Sequence, residues 1–286
     1  MNHQKVRLSP GLHFVATPIG TARDITLRAL DVLASAEVIA AEDTRSLRRL
    51  MEIHGVPLDG RRVIAYHDHS GEGARAGLLA ALNEEKSVAY ASEAGMPLIA
   101  DPGYDLSRAA ADAGHVVTVA PGASAGVAAL TLAGLPTDAF FFAGFLPNAS
   151  GARRKRLEEV KQIPGTLIFY ESPKRVAASL ADMAEVLGDR PAALCREITK
   201  KFEEVRRASL SELAAQLAEN GVKGEIVVLV DRSHTKDVNP DDLESDLRAA
   251  LRDNSVKDAA DIVSKLHDLP RRKVYQMALK LPKDDG

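Results

Sequence analysis

At 286 residues the chain is long enough for two ordinary domains, each with its own core. Its 45% hydrophobic and 27% charged content is that of a globular protein, and no stretch approaches the roughly 20 apolar residues of a membrane helix. A net charge of -3 argues against a general polyanion binder, while the single cysteine, Cys195, excludes an intrachain disulfide framework.

The first ten residues are polar and lack the apolar segment of a secretory signal. With the lone cysteine, this points to a reducing compartment, the cytoplasm. From there β-rich runs alternate with helical patterns. Residues 12–16, 38–41, 63–66, 88–91 and 116–119 read as strands. Between them, spacings such as Leu27, Leu30 and Leu33, or Leu47 and Leu50, are helical. The alternation predicts a mainly parallel sheet flanked by helices, an α/β class. Residues 136–145 read as a passage to a second lobe, whose strands are predicted at 140–143, 166–170, 192–195 and 225–230. Ser172 before Pro173 reads as a helix N-cap, and Ser209 with Glu212 has capping-box spacing. After a polar linker, three short helices are predicted at 240–252, 255–267 and 270–281, the last two as a hairpin. The expected organisation is an N-terminal α/β lobe at 1–120, a second α/β lobe at 121–235 and a helical tail at 236–286.

Three Gly/Pro-rich turns stand at the ends of predicted strands in the first lobe: Thr17-Pro18-Ile19-Gly20, Ser92-Glu93-Ala94-Gly95-Met96-Pro97 and Pro121-Gly122-Ala123-Ser124. In an open parallel sheet, ligands bind beyond the carboxyl ends of the strands, where glycine lets backbone approach them closely. Any βα turn also favours these residue types, so the weight lies in the three together, which suggest a nucleotide-sized pocket. Gly71, Gly73 and Gly77 approximate a dinucleotide fingerprint, but they follow the third strand and lack its acidic partner, so a helix start is the better reading. His67-Asp68-His69 has no partner at metal-ligand spacing and reads as loop polarity or a substrate contact. Cys195 reads as a small buried apolar residue. Glu42-Asp43-Thr44-Arg45 ends the second strand, where Asp43 or Thr44 suits an N-cap as well as a catalytic role. Scarce aromatics and the absence of tryptophan argue against a base-stacking platform, leaving the basic runs Arg153-Arg154-Lys155-Arg156 and Arg271-Arg272-Lys273 as either solvated helix faces or phosphate contacts.

These motifs recur together in one family. The turns above, with Ala41-Glu42-Asp43-Thr44-Arg45, His67-Asp68-His69, Asp101-Pro102-Gly103-Tyr104, Gly144-Phe145-Leu146-Pro147, Phe169-Tyr170-Glu171-Ser172 and Arg196-Glu197-Ile198-Thr199-Lys200, resemble the tetrapyrrole methylase superfamily. Within it, the chain is most similar to the bacterial enzymes that methylate the 2′-oxygen of a cytidine in small-subunit ribosomal RNA. The likeness runs from about residue 12 to 230 and is weaker through the tail.

The resemblance implies two α/β lobes enclosing S-adenosylmethionine, a homodimer, an RNA substrate and no metal. Carried over residue by residue, it implies cofactor contacts at Pro18, Ser92, Ala94, Gly95, Met96, Pro97, Pro121, Gly122, Ser124, Ala125, Tyr170, Glu171, Gly224 and Glu225. Glu93 departs from the family's usual aspartate by one methylene, which a backbone grip on the cofactor is expected to tolerate. A ribose hydroxyl is a poor nucleophile at neutral pH, so a proton acceptor is needed, with Asp43, Glu42 and His67 as candidates at strand ends. Arg45, Lys174 and Arg196, with the two basic runs, are candidates for RNA phosphates. Two other readings remain: a small-molecule (tetrapyrrole) methyltransferase, and a non-catalytic RNA-binding protein with a vestigial cofactor cleft.

Overall fold

A computed structural model of the chain describes residues 2–67, 72–101, 103–233, 240–267, 269 and 271–281. The chain divides into two compact units, Met1–Asp231 and Arg232–Gly286.

In the first unit, strands β1 (Gly11–Val15), β2 (Val38–Ala41), β3 (Val63–Ala65), β4 (Ser87–Ala91) and β5 (Val117–Ala120) form one sheet in the order β3-β2-β4-β1-β5, every pair parallel. Helices α1 (Leu27–Ser35), α2 (Thr44–Ile53), α3 (Glu72–Asn83) and α4 (Tyr104–Asp112) alternate with the strands. Every residue of β1 and β4 is buried, as strands covered on both faces require. Strand alternation sends Val15, Ile39 and Ala89 into one core with Leu30, Leu33 and Leu47. Leu12, Phe14 and Tyr90 point the other way, against Leu78, Leu82 and Leu106. The Thr26 hydroxyl starts α1 by accepting the Ala29 N–H at 3.1 Å.

The second sheet of this unit holds β6 (Phe140–Phe145), β7 (Thr166–Glu171), β8 (Pro191–Arg196), β9 (Glu204–Ser209) and β10 (Ile226–Val230), in the order β6-β7-β10-β8-β9. Helices α6 (Ser150–Val160), α7 (Val176–Leu187) and α8 (Leu210–Asn220) pack on one face around Phe169, Leu194 and Val228. The largely apolar α5 (Ala125–Ala133) covers the other through Ala129, Leu130 and Ala133.

This sheet corrects the expectation of mainly parallel pairing. Only β6 and β7 run parallel; β7–β10, β10–β8 and β8–β9 are antiparallel. The link from Arg196 to Glu204 is too short for a parallel crossover. Sequence reading missed β9 because its charged residues, Glu204, Arg206 and Arg207, mask the pattern; Arg206 pairs with Glu204, and Arg207 donates to the Leu132 and Ala133 carbonyls. Ser172 is not the cap of α7. Its carbonyl accepts the N–H groups of Arg175 and Val176, closing a turn before the helix begins at Val176. Ser209 and Glu212 do form the expected capping box.

The second unit contains α9 (Pro240–Asp253), α10 (Val256–Leu266) and α11 (Arg271–Ala278), close to the three predicted helices, with α10 packed on α11. Leu247, Ala260, Val263 and Val274 make its small core. Ser255 caps α10, and His267 meets Asp246 at 2.7 Å. No helix among the described residues is long and apolar enough to cross a membrane.

Candidate functional site

The carboxyl ends of β1, β2 and β4, the start of α5 and the second sheet converge on a cleft of about 350 Å³. That is within the range of small-molecule and cofactor sites, about 300–1,000 Å³. The loop after β4 forms one wall with Glu93, Ala94, Gly95, Met96, Ile99, Ala100 and Asp101. Ser92 and Thr17 anchor this loop from beneath: the buried Ser92 hydroxyl donates to the Gly95 carbonyl at 2.6 Å, and the Thr17 hydroxyl donates to the Ser92 carbonyl at 3.2 Å. Thr17 and Gly95 also exchange both backbone hydrogen bonds at 3.0 Å. Leu98 and Ala100 carry φ of +70° and +60°, conformations costly for residues with a Cβ that persist where the surroundings hold them.

The second sheet supplies the opposite wall through Phe145, Tyr170, Glu171, Ile198 and residues 225–227. The two walls are tied directly. Thr199 Oγ1 accepts the Thr21 N–H at 3.1 Å, and a Cβ on Gly20 would lie 2.4 Å from that same oxygen, so the close approach requires glycine. Tyr170 accepts the Gly126 N–H at 3.2 Å, fixing its ring at the entrance to α5; burial keeps its hydroxyl protonated by pushing its pKa up.

Electrostatically the cleft is acidic. Glu42, Glu93, Glu171 and Glu225 all line it. Glu42 Oε2 accepts the Glu93 N–H at 3.1 Å, linking the loops after β2 and β4. Partial burial, then the negative charges of Glu42, Asp43 and Glu225, hold the Glu93 carboxyl above its usual range against the pull of Arg45. Glu171 is fully buried as a side chain. Its Oε2 accepts from the Ser172 N–H and from Arg175, both at 3.1 Å, whereas its Oε1 has no hydrogen-bond partner among the described residues. A buried carboxylate oxygen in a cleft wall without a partner marks a place for a donor from a ligand.

Of the candidate cofactor residues, Ala94, Gly95, Met96, Ser124, Ala125, Tyr170, Glu171 and Glu225 line the cleft. Pro18, Ser92, Pro97, Pro121, Gly122 and Gly224 do not, and Ser92 acts instead by bracing the loop. Gly224 is explained by packing: at φ +94° a Cβ there would meet Glu197 Oε1 at 2.5 Å.

The three proton-acceptor candidates separate. Glu42 faces the cleft. Asp43 is the N-cap of α2, accepting the N–H groups of Arg45 at 2.7 Å and Ser46 at 3.2 Å. Those bonds, Ser46's first, hold its carboxyl below the usual range and make it a weaker base. His67 is exposed after the edge strand β3 and is no part of the cleft wall; Asp68, His69, Gly71 and Pro102 lie outside the described residues.

Among the candidate phosphate contacts, Arg45, Lys155 and Lys174 are exposed, as are Arg271 and Arg272 on α11. The side chain of Lys273 lies outside the described residues. Arg153 must be corrected. It is buried, held by Asp182 at 2.5 Å and donating to the Asn148 carbonyl at 3.0 Å, so it serves packing of α6 on α7. Arg154 pairs with Asp182 and Glu185, Arg156 with Glu159, and Arg196 with Glu204 and the Lys223 carbonyl. Cys195 is buried as expected, its thiol pushed up to about 11 by that burial.

Sequence reading missed Ile19, Phe145, Ile198, Ile226 and Val227. Ile19, Phe145 and Ile198 lie within motifs that the sequence singled out, but being apolar they did not themselves signal a cleft wall; Ile226 and Val227 read as an ordinary core strand.

Residues 11–214 match the family described as Tetrapyrrole (Corrin/Porphyrin) Methylases, and residues 237–282 match the RsmI C-terminal HTH domain. Over 281 residues the chain is 46% identical to the ribosomal RNA small subunit methyltransferase I of Mesorhizobium japonicum, covering 98% of this chain and 95% of that one. It is 41% identical to the protein of the same name from Escherichia coli O157:H7, covering 97% and 98% of the two chains. Among solved structures, diphthine synthase aligns with a TM-score of 0.59 at 18% identity, over 77% of this chain and 89% of its own. The methyltransferase CobJ aligns with a TM-score of 0.58 at 20% identity, over 81% and 98%. At these identities the structural matches establish a shared fold.

Proposed function

The chain belongs to the tetrapyrrole methylase family, and from that premise we propose that it transfers a methyl group from S-adenosylmethionine to the ribose 2′-oxygen of a cytidine in small-subunit ribosomal RNA. The observation that carries this reading is the acidic cleft with the open Glu171 Oε1 in its wall. A sulfonium cofactor is cationic at sulfur and at its amino group, so the carboxylates of Glu42, Glu93 and Glu225 suit it by charge. Its size suits the cleft. Ala94, Gly95, Met96, Ser124 and Ala125 would hold it largely through backbone, and Glu171 would accept from one of its hydroxyl or amino donors.

When bound, the cofactor supplies an electrophilic methyl group on a positively charged sulfur. The protein's part is to align the ribose hydroxyl, exclude water and take up its proton, with no metal required. Glu42 is the proton acceptor we assign, with Glu93 beside it as the second carboxylate. Asp43 holds the start of α2 in place. Arg45 and Lys174 would grip flanking phosphates, and Lys155 in the first unit and Arg271 and Arg272 in the second are further candidate contacts. The enzyme would act as a homodimer in the bacterial cytoplasm; the exposed apolar edge of β5, with Val117 and Val119, is a surface such a dimer would cover.

The test is transfer of labelled methyl from S-adenosylmethionine to unmethylated small ribosomal subunits, with the product mapped. One labelled ribose is expected, and a 2′-deoxyribose at that position should abolish incorporation. Incorporation into a base, or none into subunits or free RNA, would refute the proposal.

A further inference from the structure

We propose that Phe145 is the stacking platform for the base of the acceptor nucleotide, an inference that rests on the RNA reading above. Phenylalanine at the carboxyl end of a strand beside a core would ordinarily be buried, yet Phe145 is 57% exposed while lining the cleft. The cause is a β-bulge. In a regular strand Phe142 and Phe145, three positions apart, would point to opposite faces. The register between β6 and β7 shifts between Phe142 and Gly144, pairing Phe142 with Ile168 and Phe145 with Tyr170. The extra residue puts both rings on the cleft side, with Gly144 absorbing the turn at φ +67°.

Both rings then meet Tyr170 edge to face. Phe142 lies 4.9 Å from it between centroids and is partly buried against the core; Phe145 lies 5.6 Å from it. Phe145 is therefore oriented by Tyr170 while much of its surface stays open at the cleft. A planar, apolar surface held at the mouth of a transfer site fits a planar, apolar partner. A nucleobase is that partner, since every base has a face to stack.

The loops after β6 and β7 carry basic residues. Because β6 and β7 run parallel, the loops after them leave on the same side, and Arg175 donates to the Asn148 side chain between them. We assign to Lys174, exposed in the loop after β7, a phosphate of the same nucleotide. Phe145, in the cleft wall with Glu42, would then take the base and Lys174 the phosphate. The scarcity of aromatics had argued against stacking, but one ring at the mouth is enough for a single splayed nucleotide.

The chain has no tryptophan, so Phe145→Trp creates a single fluorescent reporter at this point. Adding unmethylated small-subunit RNA freed of ribosomal proteins, in the presence of S-adenosylhomocysteine, should quench it, whereas S-adenosylhomocysteine alone should not. Quenching by the cofactor product alone would place the ring against the cofactor, and no quenching at saturating RNA would leave it without a partner; either overturns the proposal. In parallel, Phe145→Ala should raise the KM for subunits by about 5- to 150-fold, the equivalent of one lost base–aromatic stack, with calorimetric affinity for the cofactor unchanged. An equal loss of cofactor affinity, or dissociation of a dimer, would overturn it. Absence of methyl transfer by the unaltered protein would instead refute the proposed function.

Discussion

Replacing Asp182 by asparagine tests whether the first basic run serves the fold or the RNA. Asp182 is buried between α6 and α7, and it accepts from Arg153 at 2.7 Å, Arg154 at 2.8 Å and the Ser150 hydroxyl at 3.0 Å. The Arg153 side chain is only 6% exposed. Asparagine keeps one oxygen acceptor but leaves the guanidinium buried without its counter-charge. Breaking one side of a buried pair costs about 3–5 kcal/mol, and the retained acceptor favours the lower end, about 3 kcal/mol. For a unit of 231 residues that lowers the melting temperature by roughly 6–12 °C.

The pH dependence has a definite sign. Burial pushes the Asp182 carboxyl up, but the hydrogen bonds from Arg154, Arg153 and Ser150 outweigh it and hold the carboxyl below its usual value. Its contribution is therefore complete above the unfolded pKa of about 3.9 and disappears as pH falls through the folded value. The gap between the two proteins should be constant near neutrality and close in acid. Thermal melting followed by circular dichroism across that pH series is the assay. A variant that melts within about 2 °C of the unaltered protein at neutral pH would refute the reasoning, as would a gap that widens in acid.

Glu171→Gln should weaken cofactor binding by roughly 10- to 100-fold in calorimetry, the cost of losing a hydrogen bond to a charged group; unchanged affinity would remove Glu171 from the site. Glu42→Gln should slow single-turnover transfer by about 10²- to 10⁴-fold, while Asp43→Asn, which keeps the helix cap, should retain most of the rate; the reverse order would reassign the proton acceptor. Because the Glu93 carboxyl is held above its usual range, it ionises at higher pH than an ordinary glutamate. If it supports proton uptake, transfer should rise with pH along a limb above about 4.3, and Glu93→Gln should displace that limb. A profile unaffected by the substitution would exclude it. Replacing Arg271 and Arg272 by alanine should flatten the salt dependence of RNA binding by about 0.7 per lost phosphate contact; an unchanged slope would confine α11 to packing.

All the strands but β9, and most of the helices, were legible in the sequence because their information is local. β1, β2, β4 and β7 are apolar runs of the right length, and the capping box at Ser209 announces α8 within four residues. The same holds for the turns at Thr17 and Ser92 to Pro97, whose glycine and proline content signals strand ends facing a ligand. The family was equally legible, since it rests on the order of short motifs. What the tertiary structure decided are relations between residues far apart in the chain. Whether an arginine meets solvent or Asp182 depends on how α6 packs against α7, and a run of four basic residues looks the same in either case. Antiparallel pairing in the second sheet follows from short links and from charges that mask β9. The exposure of Phe145 depends on one extra residue in β6, which reverses the direction of a side chain without leaving a distinctive local pattern. The two walls of the cleft meet where Gly20 lets the Thr199 loop close against the first sheet, through a Thr21–Thr199 hydrogen bond 178 residues apart that no local periodicity encodes.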